Sequence, residues 1–251
     1  MRVEISGLGF SYRPAAGPAT QVLRRLDLTV EHGSVHAVVG PTGCGKSTLL
    51  RLIAGLEKAA TGTVSLLGER RRANLTAVVF QNPRLIPWWT VERNVGIGSE
   101  FNEQPRSMYQ KVTDFYTRQV GLGLLKRRLP HTLSLGQQTK AALGRGLAHD
   151  AEVLLLDEPF VHLDAISRRH FHEEFETYWQ LDPHTTIFVT HDVEEAVMLS
   201  DRVSVMSGGP GPLVDTVEVM AERPRSAISP AHPGLRSAIA SVWRALESAS
   251  R

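Results

Sequence analysis

The sequence holds a single cysteine in 251 residues, Cys44, which excludes an intramolecular disulfide and suits a reducing compartment. Aromatic residues make up only 6%. No run of 18 apolar residues occurs, so no membrane-spanning helix is expected. The opening MRVEISGLGF lacks the apolar segment of a signal peptide. An excess of one charge sign is missing too: 28 Lys and Arg against 26 Asp and Glu leave a net +2, scattered rather than gathered into the basic runs of a nucleic-acid arm. No fixed-period repeat and no low-complexity tract appear. What is present, 42% hydrophobic and 22% charged residues, is the composition of a globular protein able to bury a sizeable core as one large α/β domain or two small ones. The expectation is a soluble, cytoplasmic protein that reaches a membrane only through a partner and does not bind nucleic acid.

The hydrophobic pattern predicts strands at Val3–Tyr12 and Val22–Val30, joined by the Pro/Gly/Ala loop of residues 13–20. Ser34–Val39 reads as a strand running into glycines, and Ser47–Leu56 places Leu49, Leu52, Ile53 and Leu56 at helical spacing. Strands follow at Thr63–Leu67 and Ala77–Phe80. From Thr90 to about Leu129 the period lengthens, with Met108, Val112, Phe115 and Tyr116 on one face of a helical insertion. A helix over Gln137–Ala148 then precedes Val153–Leu156, an apolar run suited to a strand buried on both faces of a parallel sheet. The rest alternates: a helix from Ala165 with Ile166, Phe171, Phe175 and Tyr178 or Trp179 inward, strand Thr186–Thr190, helix Val193–Leu199 and strand Arg202–Met206. A turn at Gly208–Pro212, a strand over Leu213–Val219 and a helix with Leu235, Ile239, Val242, Trp243 and Leu246 in one stripe complete the chain. Such alternation argues for a mostly parallel sheet with helices on both faces.

Between a predicted strand and a predicted helix stands Gly40-Pro41-Thr42-Gly43-Cys44-Gly45-Lys46-Ser47, a match to G-x-x-x-x-G-K-[ST] that chance would supply in about one such chain in a hundred. Glycines let backbone N–H groups converge on phosphate oxygens, and the helix N-terminus adds partial positive charge. Lys46 is placed to reach β- and γ-phosphates, Ser47 to ligate Mg²⁺, and Thr48 to touch the α-phosphate. Mg²⁺ also needs a carboxylate, and Asp157 ends the buried run Val153–Leu156. Glu158 follows it, positioned to deprotonate a water aligned with the γ-phosphate. Cys44 reads as a tolerated loop residue rather than a redox sensor, although a helix N-terminus lowers a thiol's pKa, and it should be alkylated without nucleotide and protected by Mg-ATP. His162, His170, His172 and His184 show no metal-ligand spacing and read as solvated.

These residues resemble the ATPase subunits of ABC transporters. Leu133-Ser134-Leu135-Gly136-Gln137-Gln138 is similar to that family's LSGGQ signature, Gln81 to its Q-loop glutamine, Leu163-Asp164 to its D-loop and Thr190-His191-Asp192 to its switch histidine. Tyr12 stands where an aromatic ring stacks on adenine, the less favoured alternative being an ordinary strand aromatic. The resemblance covers roughly residues 1–206 and implies the ABC ATPase fold: a P-loop α/β domain with a mostly parallel sheet, an N-terminal antiparallel β subdomain and an inserted helical subdomain. On that reading the chain is one domain, with residues 1–89 and 136–206 as nucleotide-binding core, 90–135 as helical subdomain and 207–251 as a C-terminal extension. It further implies ATP and Mg²⁺ as cofactors and two subunits, alike or different, closing head to tail on two ATP molecules. Ser134, Gly136 and Gln137 of one subunit would cap the γ-phosphate held by the other, Gln81 would reach Mg²⁺ or the attacking water, His191 would hold the γ-phosphate, and Asp164 would cross the interface. Leu135 departs from the family, which has glycine there. A side chain at that point would crowd the partner's nucleotide, and a glycine-type conformation with φ > 0 would be disfavoured.

The segment from Gln81 through Pro87-Trp88-Trp89 to Val95 resembles importers of nitrate, sulfonate, taurine and related small molecules, as do Gly208–Val219 and Arg223-Pro224-Arg225. That likeness implies permease subunits and a solute-binding protein as partners, a small anionic solute, and a place on the cytoplasmic face of the inner membrane without a span of the chain's own. Trp88 and Trp89 read equally well as packing residues. Alternatives within the class are an ATPase serving a lipid-transport or export complex and a degenerate ATP-binding regulatory subunit, suggested by Leu135. Outside it stands a P-loop kinase.

Overall fold

The computed structural model describes residues 1–13, 17–70, 74–100, 106–210, 212–225, 228–229 and 231–249. The loop at 13–20, the insertion at 90–129 and the turn at 208–212 therefore fall partly outside the described residues. The chain forms two compact units, residues 1–69 with 183–251, and residues 70–182.

In the first unit, β1 (Arg2–Tyr12), β2 (Thr20–Val30) and β4 (Thr61–Leu67) make an antiparallel sheet in the order β2-β1-β4. Val3 and Ile5 of β1 and Leu26, Leu28 and Val30 of β2 are buried at alternate positions, and Leu23 is buried out of phase with them across a register shift. Beside it β3 (Val35–Val39) lies parallel between β7 (Thr185–Thr190) and β8 (Arg202–Met206), while β9 (Leu213–Glu218) runs antiparallel to β8. Helices α1 (Lys46–Ile53), α6 (Val193–Leu199) and α7 (Pro233–Ala249) complete this unit. In the second unit β5 (Asn74–Val79) and β6 (Ala151–Asp157) pair in parallel, with α2 (Val91–Glu100), α3 (Arg106–Gln119), α4 (Leu135–Leu147) and α5 (Ala165–Leu181). All seven residues of β6 are buried. The fold is α/β, mostly parallel with an antiparallel β subdomain, as the sequence predicts.

Several inward faces differ from the pattern. On α3, Met108 and Phe115 are exposed, and Thr113 and Thr117 are buried instead, with Val120 buried just beyond the helix. A Cβ on Gly96 would lie 2.5 Å from both the Thr113 and the Tyr109 hydroxyl, so α2 and α3 approach closely there. Ile166 in the first turn of α5 is 84% exposed, while Phe171 and Phe175 are buried. On α7 the stripe is Leu235, Ala238, Val242 and Ala245, leaving Trp243 exposed. His184 is buried, and His172 packs edge-on against Phe160 at 4.9 Å, so neither is solvated.

Two polar groups are locked into the first unit. Arg225, fully buried, donates to the carbonyls of Val197 (3.1 Å), Ala221 (3.1 Å) and Ser200, tying the chain after β9 to the end of α6. His36 in the central strand contacts the Ser204 hydroxyl at 2.8 Å, which in turn meets Thr216 at 2.8 Å. Burial, assisted by the Arg202 charge and opposed by Asp201, lowers the His36 pKa from 6.5 to about 4. The folded state thus excludes the proton that the unfolded chain accepts, so stability is complete above about pH 6.5 and falls as the pH drops from there towards 4. Between pH 7.5 and 5 this group alone should cost about 2 kcal/mol. Denaturant titrations at the two pH values should show that loss in the native chain and little of it in a His36→Gln variant; equal losses in both would assign the pH dependence elsewhere.

Candidate functional site

The glycine-rich loop occupies the carboxyl end of β3, where open parallel sheets present ligand sites. Gly45 caps α1 from a left-handed conformation, φ 107°. A Cβ there would lie 2.8 Å from Leu23 and 2.9 Å from Val22, so both backbone angle and space require glycine. Lys46 is almost buried, its ammonium donating to the carbonyls of Gly40 (2.7 Å) and Pro41 (3.0 Å). Thr48 is buried one position beyond the half-buried Ser47. The Tyr12 hydroxyl lies 3.4 Å from that of Thr48 and accepts from Arg51 at 3.4 Å, while Phe10 meets the ring edge-on at 4.8 Å. An aromatic ring therefore stands beside the first turn of α1.

Because Val39 pairs with Thr190 in the β3/β7 register, His191 emerges at the same sheet edge as Gly40. It is exposed, and the turn beneath it is fixed: the Asp192 N–H donates to the Thr190 hydroxyl at 3.1 Å and the Asp192 carboxylate caps α6 by accepting from Glu195 N–H at 3.1 Å.

Cys44 differs from expectation. It is 2% exposed, and burial raises its thiol pKa against the opposing pull of Lys46. A buried, protonated thiol is a poor nucleophile, so ready alkylation does not follow from the helix N-terminus.

In the second unit, Val79 of β5 pairs with Leu156 of β6. Two residues further along each strand come Gln81 and Glu158, and the Gln81 amide donates to the Glu158 carboxylate at 3.1 Å. Asp157 at the end of β6 is 6% exposed. Glu158 adopts φ 45°, a left-handed conformation unusual for a non-glycine; such strain is a feature of functional positions. Ser47 in the first unit offers a hydroxyl oxygen, and Gln81 and Asp157 in the second offer an amide and a carboxylate oxygen, all of them hard donors. Among the described residues no group of three His, Cys, Asp or Glu could cage a metal. An ion bound by so few protein oxygens takes its remaining ligands from phosphate and water, which is the habit of Mg²⁺; the residues fit it.

Ser134 caps α4: its hydroxyl accepts from Gln137 N–H at 3.3 Å, and the Gln137 side chain accepts from Ser134 N–H at 3.0 Å. This capping box satisfies two orphan donors and orients the helix N-terminus. Leu135 is the first helical residue, 48% exposed, and so needs no positive φ. The backbone objection to leucine at this position is thereby removed. A Cβ on Gly136 would come 3.2 Å from the His162 carbonyl and 3.6 Å from Leu163, so that glycine faces its own unit. Asp164 caps α5 by accepting from Ser167 N–H at 2.9 Å, and this bond lowers its pKa.

The two tryptophans separate in their roles. Trp89 is half-buried with Arg93 over its ring at 4.1 Å, whereas Trp88 is 76% exposed. Their loop is held by Asn94, fully buried, which accepts from Ile86 N–H at 2.7 Å and donates to the carbonyls of Ile86, Trp89 and Thr90 at 3.1 Å each. Beside it opens a cavity of about 370 Å³ whose lining includes Phe80, Arg84, Ile97, Arg145 and His149. Sequence reasoning missed Asn94 and Arg145. Both bond backbone groups, and the only available signal was a polar residue at an inward helix position.

The sequence matches the ABC transporter family over residues 23–161. It is 40% identical over 215 residues to an ABC transporter ATP-binding protein of Methanocaldococcus jannaschii, covering 85% of this chain and 80% of that one. It is 36% identical over 241 residues to the aliphatic sulfonates import ATP-binding protein SsuB of Bacillus cereus, covering 95% and 94%. It is 37% identical over 250 residues to the bicarbonate transport ATP-binding protein CmpC of Synechococcus elongatus, covering 94% of this chain but 37% of that longer protein. The dimeric ATP-binding cassette MJ0796 solved with ADP and Pi superposes with a TM-score of 0.78 at 24% identity, over 88% of this chain and all of that one. Phosphate loop, strand-end carboxylates, signature cap and these similarities agree: the chain belongs to the ABC transporter family, as an ATP-binding and ATP-hydrolysing cassette of P-loop fold.

Proposed function

We propose that this cassette powers an importer of a small anionic solute, working as a dimer on the cytoplasmic face of a permease fed by a solute-binding protein. The observation that carries the hydrolytic part is the Gln81 amide at 3.1 Å from the Glu158 carboxylate, at the ends of two paired parallel strands. Support for import comes from relatives named for sulfonate import and bicarbonate transport and from Trp88, exposed on a loop that Asn94 fixes. An exposed indole on a rigid loop is a hot-spot residue for a protein partner. The adjacent cavity, with Arg84 in its wall, suits an acidic side chain on the permease's cytoplasmic segment. No described helix is long and apolar enough to cross a membrane, so attachment would be through that contact.

In the proposed cycle Lys46 exchanges the carbonyls of Gly40 and Pro41 for β- and γ-phosphate oxygens, and Tyr12 stacks on the adenine. Ser47, Gln81 and Asp157 would hold Mg²⁺, which when bound neutralises phosphate charge. Glu158 takes a proton from the attacking water while the water oxygen bonds to the γ-phosphorus; the bond to the bridging oxygen breaks, and ADP carries the negative charge away. Gln81 and His191 orient water and γ-phosphate. Ser134 accepts in its cap, so its hydroxyl proton remains to be donated to the partner subunit's γ-phosphate, with the helix N-terminus at Gly136 and Gln137 adding to it. Asp164 would cross the dimer interface.

Light scattering of the Glu158→Gln chain tests this engine. A dimer in Mg-ATP and a monomer in Mg-ADP is expected; a monomer in both would remove ATP-driven closure from the isolated subunit and favour a regulatory role.

A further inference from the structure

Arg145 lies on α4 about three turns beyond Ser134. Its guanidinium donates through Nη2 to the carbonyl of Pro83 at 2.8 Å and through Nη1 to the carbonyl of Arg84 at 2.9 Å. A planar fork with two donations to successive carbonyls fixes both the position and the tilt of the peptide between them, which a single point charge cannot do. The segment so held is not at rest in an ordinary conformation. Arg84 has φ 45°, in the left-handed region, and its own guanidinium lies over the Phe80 ring at 4.2 Å. Phe80 and Arg84 thus bracket Gln81, whose amide reaches Glu158 at 3.1 Å. Burial lowers the Arg145 pKa, and both of its donations go to this one loop.

We infer that Arg145 is a positioning residue for hydrolysis: by clamping the carbonyls of Pro83 and Arg84 to the signature helix, it holds the Gln81 amide at the Glu158 carboxylate. The inference rests on the proposed roles of Gln81 and Glu158. It also makes α4 a rigid link, since the helix that opens at the signature serine is the one that grips the loop carrying the water-orienting glutamine.

The test is a mutant cycle on the full chain: Arg145→Met, Arg145→Lys, Gln81→Ala and the Gln81→Ala/Arg145→Met double, with kcat and KM for ATP measured for each and melting temperature as the check on folding. A displaced catalytic group costs roughly 10- to 100-fold, so that loss of kcat is expected in both Arg145 variants, with KM changed by less than about twofold. Lysine should not rescue, because it cannot bridge two carbonyls, and the double variant should be no slower than Gln81→Ala. If the methionine variant does not fold, the lysine variant carries the same cycle. A kcat within about twofold of the native value in the Arg145 variants, full rescue by lysine, or losses that multiply in the double would each overturn the clamp. If Gln81→Ala and Glu158→Gln themselves retain native turnover, the inference falls with the reading beneath it, and those two single variants identify that cause.

Discussion

Replacing Glu158 by glutamine is expected to lower ATP turnover by about 10²- to 10⁴-fold, the range of one general base, while ATP affinity stays close to native. The substitution is nearly isosteric and keeps an oxygen able to accept from the Gln81 amide, so the contact now at 3.1 Å can persist. What disappears is the capacity to take up the water proton. The left-handed backbone at Glu158 need not change, because an amide side chain tolerates it as a carboxylate does. Binding should survive because Lys46 and the glycine loop lie on another segment of the chain. A single-turnover assay with ATP in excess of its dissociation constant isolates the chemical step; native turnover in the variant would remove Glu158 from the role of base.

How legible this site was depends on whether its parts are contiguous. Residues 40–48 announce themselves because the phosphate loop is one covalent stretch whose glycine positions are demanded by local geometry, as at Gly45. The meeting of Gln81 with Glu158 is set by the parallel register of Val79 with Leu156, which no local pattern encodes, and only the family resemblance suggested it. Arg145 was invisible for a related reason: its partners are backbone carbonyls, which carry no side-chain signature. Hydrophobic periodicity located the helices but misassigned the inner face of α3, where Thr113 beside Gly96 is buried while Met108 and Phe115 are exposed. Leu135 shows the converse error. A motif glycine suggested a backbone constraint, yet the position is simply the first residue of α4, so what remains to leucine is the contact its side chain would make in the proposed dimer.

Lys46→Ala should weaken ATP binding by about 10- to 150-fold, the equivalent of the roughly 1.5–3 kcal/mol that a charged hydrogen bond contributes. The ligand-free geometry explains why the effect falls on binding rather than on folding. The ammonium already lies against the carbonyls of Gly40 and Pro41, so the loop holds its own cation at the place where phosphate arrives, and nucleotide binding exchanges one set of oxygen acceptors for a more negative one. Alanine leaves two carbonyls without that donor, but these can turn to water at the open end of β3. The backbone N–H cradle and the α1 dipole remain, and they act on every phosphate they meet. Lys46 is proposed to reach the β- and γ-oxygens, so its loss should cost ATP more than ADP, and the native preference for ATP should narrow. Titration of both nucleotides by isothermal calorimetry in Mg²⁺ measures this difference directly. Equal weakening of ATP and ADP would place the ammonium on the β-phosphate alone, and unchanged affinity for both would show that the loop binds phosphate by its backbone without help from the lysine.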